Sequence, residues 1–297
     1  MIKIKRKVVL HGQSTLTISL PATWVKKFNV RKGDELNLEE RDKELRINTE
    51  KEFSLERKEI DIKDLKKLGK TSITSSYRQG YDEIALNYDD INYIEVIQDL
   101  ISKEITGFEM IEQGKNHCLI KDLTGSKDEF DTALRRIWLL TIDLSKESLN
   151  AIKKGDATEL KNIQLMDYCI NKFSNYCLRL LIKKGHVNFR KTPLYYYLVK
   201  SLEEIADRYK DLCNLYLNKP EKIDKNFIVI FSNVNSHLNE FYELFYKYDE
   251  PKIEELFRKI TLTYSKIYHS RNRMEIYLSS ICKDINDLLE VLVEINL

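Results

Sequence analysis

The sequence predicts a multi-domain, mainly α protein: a small β module at the N-terminus, a small α/β connector, and a long helical region running to the C-terminus. Three observations lead there. β-branched residues alternate with polar ones early in the chain; strand-like and helical stretches mix around isolated glycines up to about residue 125; and from Ser126 onward the apolar period stays helical. At 297 residues the chain exceeds one ordinary core, so two or three domains fit.

In the first segment Ile2, Ile4, Val8, Leu16, Ile18 and Leu20 fall at nearly period-two spacing around His11-Gly12-Gln13, which predicts strands over 2–10 and 14–20. Pro21 opens a short helix, Ala22 to Phe28, and Lys32-Gly33-Asp34 is a turn before further strands at 35–38 and 45–47. A unit of about fifty residues lies near the lower limit for an autonomous core, so this one is expected to complete its core with a second copy. Residues 1–33 also hold Lys3, Lys5, Arg6, Lys7, Lys26, Lys27, Arg31 and Lys32 and no acid, so the net charge of +2 hides a local basic block. Such a block suits a polyanion, with a merely solvated face as the alternative.

Between 51 and 125 the pattern predicts a helix over 55–80, a strand over 83–87, a helix over 93–103 and strands over 107–112 and 117–123. Gly80, Gly107 and Gly114 stand alone and form no phosphate-cradling motif. After Ser126 one apolar face runs through Phe130, Leu134, Ile137, Trp138, Thr141, Leu144, Leu149 and Ile152. Gly155, Gly185, Pro193, Pro220 and Pro251 divide the region into helices near 127–153, 156–184, 194–217, 223–248 and 252–296, the last with a break near His269. The short connections predict an antiparallel bundle. Tyr197 to Asp207 lines up with Tyr277 to Asp287 at a constant offset, Leu212 then pairs with Leu292, and Leu149 to Asp156 echoes Tyr242 to Asp249. Two three-helix units in tandem, about 126–218 and 221–297, account for this repeat.

Composition excludes several classes. Five cysteines without a C-x-x-C pair, mostly in apolar helical stretches, predict reduced thiols rather than a disulfide framework. No run approaches the roughly 18 to 20 apolar residues of a membrane span, and Met1 to Lys5 lacks a signal-peptide stretch, so a cytoplasmic protein without membrane insertion is expected. His11, His117, His186, His237 and His269 show no ligand spacing and no nucleophile partner, and no catalytic residue is predicted.

Lys5-Arg6-Lys7, then Gly12, Ser14 to Pro21, Trp24-Val25-Lys26-Lys27 and Lys32-Gly33-Asp34 together resemble the swapped-hairpin SpoVT-AbrB DNA-binding family over residues 1–50. The resemblance implies a homodimer with interlaced hairpins that presents Lys5, Arg6, Lys7, Lys26 and Lys27 to DNA, with Ser14 and Thr15 in the loop. Gln13 stands where the family commonly has an arginine. Modules of this fold also serve as antitoxin-type dimers.

A second pattern lies after Pro193, where Glu203 or Glu204, Asp207 and Asp211 form a carboxylate stripe on one helix face. A solvated face accounts for the same stripe. Residues 126–297 resemble the PhoU family of phosphate-regulation proteins, whose tandem three-helix bundles carry an E/D-x-x-x-D motif matched by Glu203 and Asp207. That resemblance implies iron, zinc or another divalent cation at Glu203, Asp207 and Asp211, with Asp167 across the bundle. The second unit departs from the motif at Lys283 and keeps Asp284 and Asp287. With the 51–125 connector and its Tyr77-Arg78-Gln79-Gly80-Tyr81-Asp82 segment, the whole chain resembles archaeal PhoU-type phosphate uptake regulators. The implied function is a DNA-binding regulator of phosphate uptake with a sensory or partner-binding bundle. The alternative is an interaction protein acting on a phosphate transporter ATPase or a signalling protein without touching DNA.

Overall fold

The computed structural model describes residues 4–41, 44–49, 56–63, 66–124 and 129–297. Ile2, Lys3, Ser126 and the expected boundaries at 50/51 and 125/126 lie outside the described residues. The chain divides into two compact units, Met1–Glu56 and Arg57–Leu297.

The first unit is two small hairpins flanking a short helix. Strand β1 (Val9–His11) pairs antiparallel with β2 (Thr15–Thr17), α1 spans Ala22–Lys27, and β3 (Leu36–Arg41) pairs antiparallel with β4 (Glu44–Thr49). The first hairpin is shorter than its alternation predicts. Gly12 closes it at φ 68°, a left-handed conformation that a side chain would strain. Of the described side chains in this unit only Thr49 is buried. Ile4, Val8, Val9, Leu10, Leu16, Ile18, Leu38 and Leu45 are all exposed, so the hairpins close no apolar core of their own.

The second unit opens with a four-stranded sheet. Its order is β5 (Arg57–Asp61), β6 (Glu83–Asn87), β8 (His117–Asp122), β7 (Phe108–Gln113), with β5 parallel to β6 and the other pairs antiparallel. Helices α2 (Lys66–Arg78) and α3 (Tyr93–Glu104) pack on it, around a core that includes Ile73, Tyr77, Ile84, Leu86, Ile97, Leu100, Phe108 and Ile120. The helix expected over 55–80 is therefore a strand followed by a helix. Arg57-Lys58-Glu59-Ile60-Asp61 carries almost no apolar period because β5 is an edge strand, where charges guard open backbone groups.

Six helices follow: α4 (Phe130–Lys154), α5 (Ala157–Lys183), α6 (Thr192–Asn218), α7 (Lys225–Tyr246), α8 (Glu250–Ile267) and α9 (Arg273–Asn296). The breakers stand where the pattern placed them. Gly155 ends α4 in the left-handed conformation, at φ 65°. Asp156 then caps α5 by accepting from the backbone N–H groups of Thr158 and Glu159, and Asp249 caps α8 in the same way from Lys252.

Helices α4, α5 and α6 pack mutually, as do α7, α8 and α9, and the triplets meet α4 to α7 and α6 to α9. Both meetings are antiparallel. Trp138 touches Phe241 while Asn235 bonds the Ser145 carbonyl, and Arg208 meets Asp284 while Lys191 reaches the Ile295 carbonyl. The offset seen in the sequence holds in the burial pattern, since Leu198/Leu278, Leu202/Cys282, Ile205/Ile285, Tyr209/Leu289 and Leu212/Leu292 are buried in both copies. The separate offset of the Leu149/Tyr242 echo extends into α5 and α8, where the sequence shows no repeat. Every buried residue of α8, namely Ile253, Leu256, Ile260, Thr263 and Ile267, has a buried counterpart on α5 in Leu160, Ile163, Asp167, Ile170 and Ser174.

Candidate nucleic-acid interface and polar joints of the helical unit

Lys5, Arg6 and Lys7 lie in the segment before β1, Ser14 ends the β1–β2 turn, Thr15 starts β2 opposite His11, and Lys26 and Lys27 form the last turn of α1. All seven side chains are exposed. None of the five cations makes an ion pair among the described residues, which follows from the acid-free stretch that holds them. Inside α1, Trp24 packs on Phe28 at 5.3 Å and the Lys27 ammonium lies 5.2 Å from the Phe28 ring centre, so this basic turn is anchored on an aromatic base. Exposed, uncompensated lysine and arginine can take backbone phosphates, with an affinity set by counterion release.

The acidic residues of α6 are arranged differently. Asp167 of α5, 1% exposed, accepts from Lys210 at 2.8 Å, and Lys210 also binds Asp207. Glu203 pairs with Lys200 and stands 3.9 Å from Arg78, while Asp211 is exposed. Burial, ahead of the Lys210 interaction that opposes it, pushes the Asp167 carboxyl up to about 6. Asp167 and Asp207 thus come together around an ammonium group, which fills the place a cation would need. Among the described residues no three His, Cys, Asp or Glu side chains converge as metal ligands. As arranged, this donor set does not fit a metal ion.

The residue that sequence reasoning missed is Arg179. It sits 3% exposed on α5 and reaches into the α/β layer, donating to the carbonyl oxygens of Tyr77 at 2.8 Å and Tyr81 at 2.7 Å. It also pairs with Asp82 at 3.1 Å and Asp122 at 3.2 Å, and its guanidinium carbon lies 4.9 Å from the Tyr77 ring centre and 5.1 Å from that of Phe108. Lys183 adds a second cation on Asp82. The only signal was a lone arginine inside the apolar run Cys177-Leu178-Arg179-Leu180-Leu181. The Tyr77–Asp82 segment singled out from sequence is the other half of this joint.

Between α7 and α8, His237 is buried with Nε2 at 2.9 Å from the Thr263 hydroxyl, next to an ion pair of Glu240 with Lys259 at 2.9 Å. Among the described residues no helix is long and apolar enough to cross a membrane. All five cysteines are free, and only Cys169 is exposed.

Residues 12–53 match the family described as antidote-toxin recognition MazE, bacterial antitoxin. The first unit is thus similar to a MazE/AbrB-type module, compatible with a DNA-binding regulator, on a multi-domain, mainly α chain. No curated protein and no solved structure matches the chain.

Proposed function

We propose that this protein is a cytoplasmic DNA-binding regulator of phosphate uptake, dimeric through residues 1–50, with the 51–125 segment linking that module to a PhoU-like sensory or partner-binding bundle at 126–297. The observation that carries the reading is the set of exposed cations Lys5, Arg6, Lys7, Lys26 and Lys27, without an ion pair among the described residues, on a MazE-like module. Dimerisation is supported by the exposed apolar strand residues, since burying a side chain such as Leu or Val is worth about 1.5–3 kcal/mol and a second copy would supply that cover. MazE/AbrB-type modules typically bind DNA as dimers, which accords with both features. Four of the five cysteines are buried thiols, as suits a reducing compartment.

The phosphate assignment rests on the resemblance of the helical region to PhoU and on the paired triplets that such a bundle requires. No reaction is assigned to the chain. The test is fluorescence anisotropy of the full chain on duplexes from its own genomic neighbourhood, with and without inorganic phosphate. Sequence-selective binding that changes with phosphate supports the whole reading; selective binding indifferent to phosphate keeps the DNA role and removes the phosphate one; no binding removes the regulator.

A second reading is favoured by the description of the matched family, which is toxin recognition. In it the first unit pairs and holds a protein partner, and the bundle engages a transporter ATPase or a signalling protein. Recovery of such a partner by a chain that fails to bind DNA would select this alternative.

A further inference from the structure

We propose that the α7–α8 joint is a proton-operated latch: one proton taken up by His237 exchanges the Glu240–Lys259 ion pair that ties the two helices for ion pairs lying within each helix. The starting state is fixed by hydrogen bonds. The Thr263 hydroxyl donates to the Lys259 carbonyl at 3.1 Å, so it accepts from His237, which must carry its hydrogen on Nε2. Nδ1 is then a bare acceptor, buried and without a hydrogen-bond partner among the described residues.

The duplicated fold shows that this pair is not needed for packing. At the positions equivalent to His237 and Thr263 the first triplet has Leu144 and Ile170, both fully buried. An apolar pair fills that place at no cost in unmet hydrogen bonds, whereas the second triplet buries an imidazole with an unused lone pair. A group held there against the local interest of the core is free to serve another end.

The charged groups acting on the ring are Glu240, one turn along α7, and Lys259 on α8. Burial, the dominant cause, and Lys259 hold the imidazole below its ordinary pKa, while Glu240 pulls the other way. A proton added at Nδ1 creates a cation with a second N–H donor, and Glu240 is the acceptor within reach on the same helix. Glu240 now accepts from Lys259 and from Ser236 at 3.2 Å. Once Glu240 turns to the imidazolium, Lys259 keeps Glu255, which it already holds at 3.0 Å on α8. The cross-link between the helices becomes His237–Glu240 on α7 and Lys259–Glu255 on α8, with one proton gained and no covalent bond changed. Glu240, Glu255 and Lys259 also line the cleft between these helices, together with Lys247 and Lys252, so release of the link widens that cleft.

The latch does not depend on DNA binding, and the test uses the full chain. Nitrogen-detected NMR of His237 should show the Nε2–H tautomer at pH 7.5 and a midpoint below the ordinary value of 6.5. Hydrogen-exchange protection of α7 and α8, corrected for intrinsic rate, should fall about ten-fold through that midpoint. The His237→Leu/Thr263→Ile variant, which installs the first triplet's residues, should lose the step. The Glu240→Gln variant should show the low-pH protection already at pH 7.5. A ring that titrates with protection unchanged, the same step in the double variant, or a wild-type step in Glu240→Gln would each overturn the proposal.

Discussion

The guanidinium of Arg179 lies 4.9 Å from the centre of the Tyr77 ring and at the same time donates to the Tyr77 carbonyl oxygen at 2.8 Å. One side chain therefore grips both the backbone and the ring of a residue far away in sequence. With Asn175, which bonds Arg78 and the Glu104 carbonyl, this grip ties α5 to the α/β layer of the same compact unit.

Removing that cation should be costly. Arg179→Met leaves Asp122 without its arginine and removes the side-chain donor from the Tyr81 carbonyl, while the Tyr77 carbonyl keeps the Gly80 N–H. A loss of about 3–5 kcal/mol is expected in urea unfolding followed by helical circular dichroism. Arg179→Lys should recover only part of it, because an ammonium cannot reproduce the planar fork. A loss below about 1 kcal/mol would show that the joint is held elsewhere.

Gly80 is required twice at the same joint. Its φ of +94° disfavours any side chain, and a Cβ there would stand 2.6 Å from Cγ of Lys183. Gly80→Ala should destabilise by about 1–2 kcal/mol. Adding Lys183→Ala should relieve the contact but not the backbone strain, so the double variant should recover part of the loss. Full recovery in thermal unfolding would mean that the backbone contributes nothing.

These two residues show where the sequence was legible and where it was not. The helices α4 to α9 announce themselves through period and breakers: Gly155, Pro193, Pro220 and Pro251 punctuate a continuous apolar face. The strand β5 is silent, because on this edge strand only Ile60 packs on the core and the other side chains are exposed, which leaves no apolar alternation to read. Arg179 is silent for a different reason, since its partners are backbone carbonyls and acids brought near only by the fold. The carboxylate stripe on α6 was visible, and Lys200 and Lys210 stand three residues from Glu203 and Asp207 on the same helix, but Arg78 on α2 and Asp167 on α5 join them only through the fold.

At the α6–α9 contact, Asp284 of the second triplet binds Arg208, which also holds Glu204 at 2.9 Å. Burial first, then the neighbouring Glu204 and Asp287, raise the Asp284 carboxyl from 3.8 to about 6, against the pull of Arg208. A folded-state pKa above the unfolded one gives stability that is complete below about 4 and is lost as pH rises through about 6. Arg208→Met removes the opposing pull, so its cost should be about 2–3 kcal/mol at pH 7.5 and less than half of that at pH 5. Equal losses at both pH values in parallel urea titrations would contradict this assignment.

The exposed strand residues of the first unit make a separate prediction. Leu16 is 69% and Leu45 54% exposed, although both sit in strands. If a second chain covers them, Leu16→Asp with Leu45→Asp should turn a dimer into a monomer in sedimentation equilibrium, with the helical signal unchanged. A wild-type chain that sediments as a monomer at micromolar concentration would remove the dimer.

DNA affinity as a function of salt tests the central claim most directly. Lys26 and Lys27 from two chains amount to four phosphate contacts, and each contact contributes about −0.9 to the slope of log affinity against log salt. The full wild-type chain should show a steep negative slope, and Lys26→Glu/Lys27→Glu should reduce its magnitude by about three to four while weakening binding at least ten-fold at about 0.1 M salt. A double variant that keeps the wild-type affinity and slope would contradict the account.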